Sequence, residues 1–324
     1  MTVASVQVAV QHYARVREHV RVMARDPEVH AGLTAEELEV LHELEPLWEA
    51  DETRIDKLRG FGKAMSGTRR SNYTGERAEA TRAALGRDLR RLLDGSDASL
   101  WVNEPRALGG FGVKEGRRFF NADTLRFFRI SSLLDDAEVL WDLSRGARPT
   151  VWEIGGGWGG LAHHLKSIRP SVAYLITGTP EWFLVSAVYL MTLFPDAGFR
   201  FYDPADPEAF WRDWDRVDFA FAPEGQVPAL RPPSLALTVD FETLTRMTPS
   251  RIDRHVARAH ALGCPYFLST GASHAGEPES DSPVGAALGR YYWPHTLTAP
   301  RYQDRRLVVR GRKAYRLGWR RLHA

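Results

Sequence analysis

Apolar residues recur at three- and four-residue spacing along the first hundred residues, which is typical of helices with one buried face. The first such run is Val6, Val10, Tyr13, Val16, Val20 and Met23. Thr34 followed by Glu37 matches a capping box that opens a second helix. A third helical pattern runs from about Glu76 to Leu93. Residues 1–100 are therefore predicted to form an all-helical extension. In the leading functional hypothesis given below, this extension folds over the pocket as a lid.

The pattern changes after residue 149, where short apolar runs alternate with helical ones. The strand-like runs are "TVWEIG", "VAYLITG", "VDFAFAP", "SLALTVD" and "PYFLSTG". Between them lie "GLAHHLKSI", "PEWFLVSAVYLMTLF" and "SRIDRHVARAHAL", which have the length and pattern of helices. This alternation predicts an α/β domain over residues 101–324, with a mostly parallel sheet covered on both faces. The segment "RRLVVRGRKAYRLGW", two runs around Gly311, predicts an antiparallel hairpin at the sheet edge.

Composition narrows the class of protein without naming it. The chain has 324 residues, a net charge of +2 and one cysteine, Cys264, so a disulfide framework is excluded. Charges are spread through the first 25 residues, which argues against a signal peptide or membrane span. The basic C-terminal residues alternate with apolar ones, as on a solvated edge strand. We expect a cytoplasmic protein that binds neither nucleic acid nor membrane.

The stretch "VWEIGGGWGG" is the strongest chemical signal in the chain. Gly155, Gly157 and Gly160 satisfy a dinucleotide-binding spacing between a predicted strand and a predicted helix. This spacing alone leaves NAD, FAD, S-adenosylmethionine (SAM) and a purely structural turn open. Glu153, two residues before the first glycine, favours SAM because an acid there can reach the methionine ammonium. A pyrophosphate would gain nothing from that carboxylate.

The same stretch looks like motif I of class I SAM-dependent methyltransferases. Together with "NEP", "GGFG", "NADTLRFF" and "PEWFLVSAVYL", it resembles the putative sugar O-methyltransferase family of bacterial gene clusters over roughly residues 100–300. The resemblance implies a Rossmann-like methyltransferase sheet and SAM as cosubstrate. The implied cofactor-binding residues are Asn121, Glu153, Gly155, Gly156, Gly157, Trp158, Gly159, Thr177, Gly178 and Thr179.

One departure from that family lies at the end of the second predicted parallel strand. The family pattern implies an aspartate there, which accepts hydrogen bonds from the ribose hydroxyls. This chain has Gly178 instead, and Thr177, Thr179 or Glu181 are the candidate substitutes. Losing a charge-assisted hydrogen bond costs about 1.5–3 kcal/mol, so the ribose is expected to be held differently or more weakly.

The candidate catalytic residues each have a structural alternative. Trp158 offers a ring face to a sulfonium or packs against the helical extension. Asn121 and the neighbouring Asp123 contact SAM or the acceptor, or cap a helix. Asp240 and His274 follow predicted strands at the edge where ligands bind, and are candidates to orient or deprotonate an acceptor. Further candidate bases are His163, His164 and His295, and no cluster has metal-ligand spacing.

Three functions follow from these observations. The leading one is a SAM-dependent O-methyltransferase acting on a small hydroxylated metabolite, such as a sugar or a natural-product intermediate. The second is an enzyme that attacks the methionine Cγ and releases methylthioadenosine, like the azetidine-2-carboxylate synthases that resemble the same family. The third is a non-catalytic binding domain. The expected partner is a small molecule, and a homodimer is the candidate assembly.

Overall fold

The computed structural model describes residues 3–270, 282–297 and 305–309, and its first hundred residues contain helices and no strand in the described part. Thr34 starts the second helix as predicted: its hydroxyl accepts from the Glu37 amide, and its own amide donates to the Glu37 carboxylate at 2.8 Å. This confirms the predicted capping box. The helices of this region are α1 Val3–Met23, α2 Ala35–Leu44, α3 Glu52–Ile55, α4 Lys63–Ser66 and α5 Arg77–Leu93.

A connecting region leads from these helices to the central sheet. It contains a small antiparallel hairpin and two helices, and the second helix ends shortly before the first strand of the sheet. These elements are β1 Val113–Glu115, β2 Arg118–Phe120, α6 Ala122–Asp136 and α7 Val139–Arg145.

The central sheet has eight strands in the order β5-β6-β4-β3-β7-β8-β10-β9. Strands β3 to β8 pair with one another in parallel, and β10 runs antiparallel to β8 and β9. The strands are β3 Thr150–Ile154, β4 Ala173–Gly178, β5 Phe199–Phe201, β6 Phe219–Pro223, β7 Leu235–Asp240, β8 Tyr266–Ser269, β9 Trp293–Leu297 and β10 Arg305–Val309. The prediction of a mostly parallel, Rossmann-like α/β sheet is confirmed.

The helices between the strands include the three predicted from the sequence and one that was not. They are α8 Gly160–Ile168, α9 Phe183–Leu193, α10 Pro249–Ala261 and α11 Pro283–Tyr291. Residues Phe183 to Met191 of α9 are buried all round. The reason is that α1 packs on the outside of α9 while Phe183 contacts Phe221 of the sheet. None of the described helices is long and apolar enough to cross a membrane.

An antiparallel pair is present at the C-terminal edge of the sheet, and its strand β10 is the first of the two predicted runs. β10 pairs with β8 on one side and with β9, which precedes it in the chain, on the other. β10 therefore has a paired strand on each side in the described sheet. Residues 310–324, including Gly311 itself, lie outside the described residues.

A buried ion-pair network fixes the helical region to the sheet domain. Arg251 of α10 donates to both oxygens of Glu37 in α2, at 2.6 and 2.8 Å. Its Nε also donates to Glu224, which follows β6, at 2.8 Å. The Arg251 side chain is 6% exposed, so these pairs are shielded from water. The described helical region is therefore held against the sheet by charges that would be costly to separate.

Candidate functional site

The loop between β3 and α8 is built almost entirely of glycines in the left-handed region. The φ angles are +88°, +64°, +46° and +86° for Gly155, Gly156, Gly157 and Gly159. A Cβ atom on Gly155 would lie 2.3 Å from the Thr243 hydroxyl oxygen, and one on Gly156 would lie 2.2 Å from Ile176. At Gly157 a Cβ would meet nothing within 4 Å. The loop is therefore clamped on two sides and open at Gly157, where a ligand can approach the backbone.

A cleft lies above this loop, at the carboxyl ends of β3 and β7. The loop after β7 forms a second wall of it, and α4 of the helical region contributes Met65 and Ser66. Four aromatic side chains line it: Phe127, Trp158, Trp182 and Phe241. The position matches the rule that open α/β sheets bind ligands outside the carboxyl ends of their strands, where the chain order reverses.

Three charged side chains line the cleft: Glu153, Glu242 and Arg246. Glu153 is 2% exposed and accepts a hydrogen bond from the Tyr174 hydroxyl at 2.6 Å. Burial raises the pKa of Glu153 to about 7, although the Tyr174 hydrogen bond opposes the rise. The Nε of Arg246 lies 3.3 Å from a carboxylate oxygen of Glu36 in α2. Neither Glu242 nor Arg246 was identified from the sequence, because nothing local marks them in "DFETLTR".

Trp158 is 3% exposed and held from two directions. Its indole N–H donates to Asp123 at 3.2 Å. The guanidinium carbon of Arg59 lies 3.5 Å from the centre of its ring. One ring face is thus covered by a cation of the helical region and is closed to a sulfonium. On this face Trp158 packs against the helical extension, which is the structural alternative given in the sequence analysis. A contact between a sulfonium and another part of the ring stays a prediction.

Arg59 is the centre of a buried cluster that the sequence did not reveal. It is fully buried and donates to Glu104 at 2.8 Å and to Asp123 at 2.9 Å. Asp123 also accepts from the hydroxyls of Ser66 and Thr68, at 2.9 and 2.6 Å. Burial raises the pKa of Glu104 to about 7, against the opposing effect of Arg59. The cluster ties α4 and α6 to the glycine loop through Trp158.

Asn121 and Asp240 lie outside the lining of the cleft, and both side chains hydrogen-bond to backbone groups nearby. Asn121 is fully buried and caps α6, accepting from the Thr124 amide at 3.0 Å and donating to the Phe111 carbonyl at 2.9 Å. Asp240 accepts from the amides of Thr243 and Leu244 at 2.8 and 2.9 Å. The structure thus places Asn121 at a helix start and Asp240 beneath the loop after β7.

The candidate histidines are not brought into the cleft by the described structure. His163 and His164 lie in α8, where burial lowers their pKa values to about 4 and about 3. His164 shares a hydrogen bond with the Leu100 carbonyl at 3.0 Å, and neither ring lines the cleft. His274 lies outside the described residues, as does the side chain of His295 in β9. Among the described residues, no group of three or more His, Cys, Asp or Glu could hold a metal ion.

The end of β4, where the ribose acid was expected, is tightly packed at Gly178. A Cβ there would lie 3.0 Å from the Gly155 carbonyl oxygen. The Thr177 hydroxyl accepts from the indole N–H of Trp152 at 2.8 Å, and Thr179 is buried. Glu181 follows; one of its oxygens lies 2.9 Å from His30 Nε2, and the other is buried with no partner in the described part of the chain. Glu181 is therefore the acid that the structure places at this strand end.

No protein-family model matches the chain, and no curated protein sequence matches it. Solved structures similar to it include three proteins at 12–14% identity. Magnesium protoporphyrin IX methyltransferase (ChlM) from Synechocystis PCC 6803 with bound SAM is 12% identical, with 75% of this chain and 95% of that chain covered and a TM-score of 0.38. The bifunctional kinase-methyltransferase WbdD is 12% identical, with coverages of 57% and 39% and a TM-score of 0.38. EvdMO1 is 14% identical, with coverages of 72% and 48% and a TM-score of 0.36.

The chain spans about two fifths of the length of WbdD. The class of protein is defined by its own strand order, its parallel sheet and its glycine loop, which are those of a Rossmann-like α/β domain.

Proposed function

We propose that this protein is a SAM-dependent methyltransferase that transfers a methyl group to a hydroxyl of a small metabolite, such as a sugar or a natural-product intermediate. One observation carries the proposal. The charged side chains lining the described cleft are two carboxylates and one guanidinium, Glu153, Glu242 and Arg246. SAM carries the complementary set, a sulfonium, an ammonium and one carboxylate.

The same charge pattern argues against NAD or FAD as the ligand. Both cofactors would bring a pyrophosphate to the glycine loop. In this cleft the two negative charges of the pyrophosphate would meet two carboxylates, Glu153 and Glu242, and one cation, Arg246. Like charges at close range in a partly buried site are costly. The methionine part of SAM, with one carboxylate, one ammonium and one sulfonium, matches the charges of the cleft better.

In the proposed complex each part of the cleft has one task. Glu153 pairs with the methionine ammonium, and Arg246 pairs with the carboxylate. The aromatic side chains surround the sulfonium and the adenine, where ring faces attract cations. Glu181, which precedes the cleft-lining Trp182 but does not itself line the described cleft, accepts from the ribose hydroxyls in place of an acid at Gly178, since one of its oxygens has no partner among the described residues. The helical region shields the reacting groups from water.

Methyl transfer is a displacement at carbon that needs an acceptor oxygen in line with the breaking carbon–sulfur bond. The protein contributes mainly by fixing the two reactants in that arrangement. The loop after β7 and residues Met65 and Ser66 of α4 form the walls of the cleft across from the glycine loop. We place the acceptor there. We further propose a cytoplasmic enzyme that acts on a small molecule and binds no nucleic acid.

Incubation with SAM, with and without a panel of hydroxylated metabolites, followed by mass spectrometry tests the proposal. S-adenosylhomocysteine that forms only with an acceptor is the expected result. Methylthioadenosine formed from SAM alone would replace the proposal with attack on the methionine Cγ. Unchanged SAM, together with no rise in melting temperature on adding SAM, would show that the cleft serves another ligand or none.

A further inference from the structure

Glu242 combines three features found together at no other described residue. Its φ angle is +61°, in the left-handed region that side chains other than glycine seldom adopt. It lines the cleft. Its carboxylate has no hydrogen-bond or ion-pair partner in the described part of the chain, whereas Glu153 is bonded to Tyr174 and Arg246 is paired with Glu36.

The loop that carries Glu242 is held rigidly in this strained form. Asp240 accepts from the amides of Thr243 and Leu244, and its other oxygen accepts from the Ser269 hydroxyl at 2.6 Å. The Thr245 hydroxyl donates to the Glu242 carbonyl at 3.1 Å. Non-glycine residues in such conformations persist when their surroundings fix them, and they concentrate at functional sites.

We propose that Glu242 is the catalytic base: its carboxylate faces the transferring methyl group and takes the proton from the acceptor hydroxyl. This inference rests on the proposed function. Glu153 lies beneath the glycine loop at the end of β3, while Glu242 projects from the loop after β7 that forms another wall of the cleft. The two carboxylates are thus assigned to the two cations of SAM, Glu153 to the ammonium and Glu242 to the sulfonium side.

The proposed step balances without any further reactant. Glu242 takes the acceptor proton and becomes a neutral carboxylic acid. The acceptor oxygen forms a bond to the methyl carbon, and the carbon–sulfur bond breaks with its electron pair staying on sulfur. The products are a methyl ether and S-adenosylhomocysteine. Asp240 acts as a positioning residue, because it fixes the loop without lining the cleft itself.

Ligand binding tests the position of the charge before any acceptor is known. Sinefungin carries an amine-bearing carbon in place of the sulfonium and its methyl group, so its amine reports a carboxylate at that point. We expect the wild-type protein to bind sinefungin about 10-fold or more tightly than S-adenosylhomocysteine, as a charge-assisted hydrogen bond allows. In Glu242→Gln the preference should fall to about 3-fold or less, with the affinity for S-adenosylhomocysteine unchanged. Isothermal titration calorimetry measures both affinities.

Glu138→Gln is the matched control, because Glu138 also has a left-handed φ of +60° but does not line the cleft. It should keep the full preference for sinefungin. Glu242→Gly tests the strain as well: it should lose the preference and melt at or above the wild-type temperature, since glycine adopts this φ freely. If Glu242→Gly folds poorly, the preference of Glu242→Gln for sinefungin over S-adenosylhomocysteine tests the proposal by itself.

The outcomes separate this inference from the proposed function. If SAM, S-adenosylhomocysteine and sinefungin all fail to bind the wild type, the proposed function is wrong. If all three bind and sinefungin has no preference, or Glu242→Gln weakens all three equally, the role of Glu242 is wrong while the SAM site stands. Glu153→Gln should weaken all three alike, because the ammonium is common to them.

Discussion

Replacing Glu153 with glutamine should stabilise the protein in the absence of ligand, and increasingly so as the pH rises. Glu153 is buried beneath the cleft, and its pKa is raised from the usual 4.5 to about 7, chiefly by burial. A rise of that size corresponds to a cost of about 3 kcal/mol for ionising the carboxyl in the folded protein. Glutamine has the same shape and can still accept the hydrogen bond from Tyr174.

The sign of the pH dependence follows from the direction of the shift. Well below pH 4.5 the carboxyl is protonated in both folded and unfolded chains, so its ionisation costs nothing. Between pH 4.5 and about 7 the unfolded chain ionises and the folded protein does not, which progressively favours unfolding. Above about pH 7 the full cost is present. The advantage of Glu153→Gln should therefore grow by about 2 kcal/mol between pH 5 and pH 8.

Urea denaturation at pH 5, 6, 7 and 8 measures this difference in the free energy of unfolding. The exposed Glu39→Gln is the matched control and should show no such trend. A difference between wild type and Glu153→Gln that does not change with pH would refute the reasoning. The same variant should bind SAM about 10-fold or more weakly, because the ammonium loses a charged partner. Stability and affinity are thus expected to change in opposite directions.

Three further predictions concern other parts of the molecule. Gly155→Ala should lower the free energy of unfolding by about 2 kcal/mol or more, because its Cβ would lie 2.3 Å from the Thr243 hydroxyl. Gly157→Ala should lower it by only about 1 kcal/mol, the cost of the left-handed φ. Equal losses of stability in thermal denaturation would contradict this. Arg251→Met should lower the free energy of unfolding by about 3–5 kcal/mol, because it leaves two buried carboxylates without their cation. Denaturant unfolding measures this, and a loss under about 1 kcal/mol would show that the ion-pair network is not stabilising. Glu181→Gln should reduce the binding preference for adenosine over 3′-deoxyadenosine from about 10-fold towards none. Competition of each nucleoside against SAM measures the two affinities. An unchanged affinity ratio would show that another group binds the ribose hydroxyl.

Local patterns in the sequence predicted most of the elements. The capping box at Thr34, the five parallel strands with longer runs and the helices between them are all found in the structure. β5 was missed, because three residues are too short to show a period. The pairing of β10 with β8 and β9 was not predicted, because an apolar run does not specify which strand lies beside it.

Some residues of the candidate site could be predicted from the sequence, and others could not. The glycine loop and Glu153 could be identified because glycine spacing and an adjacent acid are properties of a few consecutive residues. Asn121 and Asp240 also stood out in the sequence, but their side chains bond to backbone groups and, for Asp240, to the Ser269 hydroxyl, and neither lines the cleft. Whether a polar residue at an element end caps the backbone or faces a ligand depends on the path of the chain after it.

The sequence by itself determined the class of sheet, the glycine loop between its first strand and the following helix, and the acid beside it. Only the tertiary structure decided what surrounds that loop. Arg59 reaches Trp158 across 99 positions of the sequence, and Arg246 and Glu242 become part of the cleft through the folding of the loop after β7. Periodicity and spacing record local conformation, which neighbouring residues set. Contacts between distant residues arise from packing, so Glu242 and Arg246 could be assigned to the cleft only once the chain was folded.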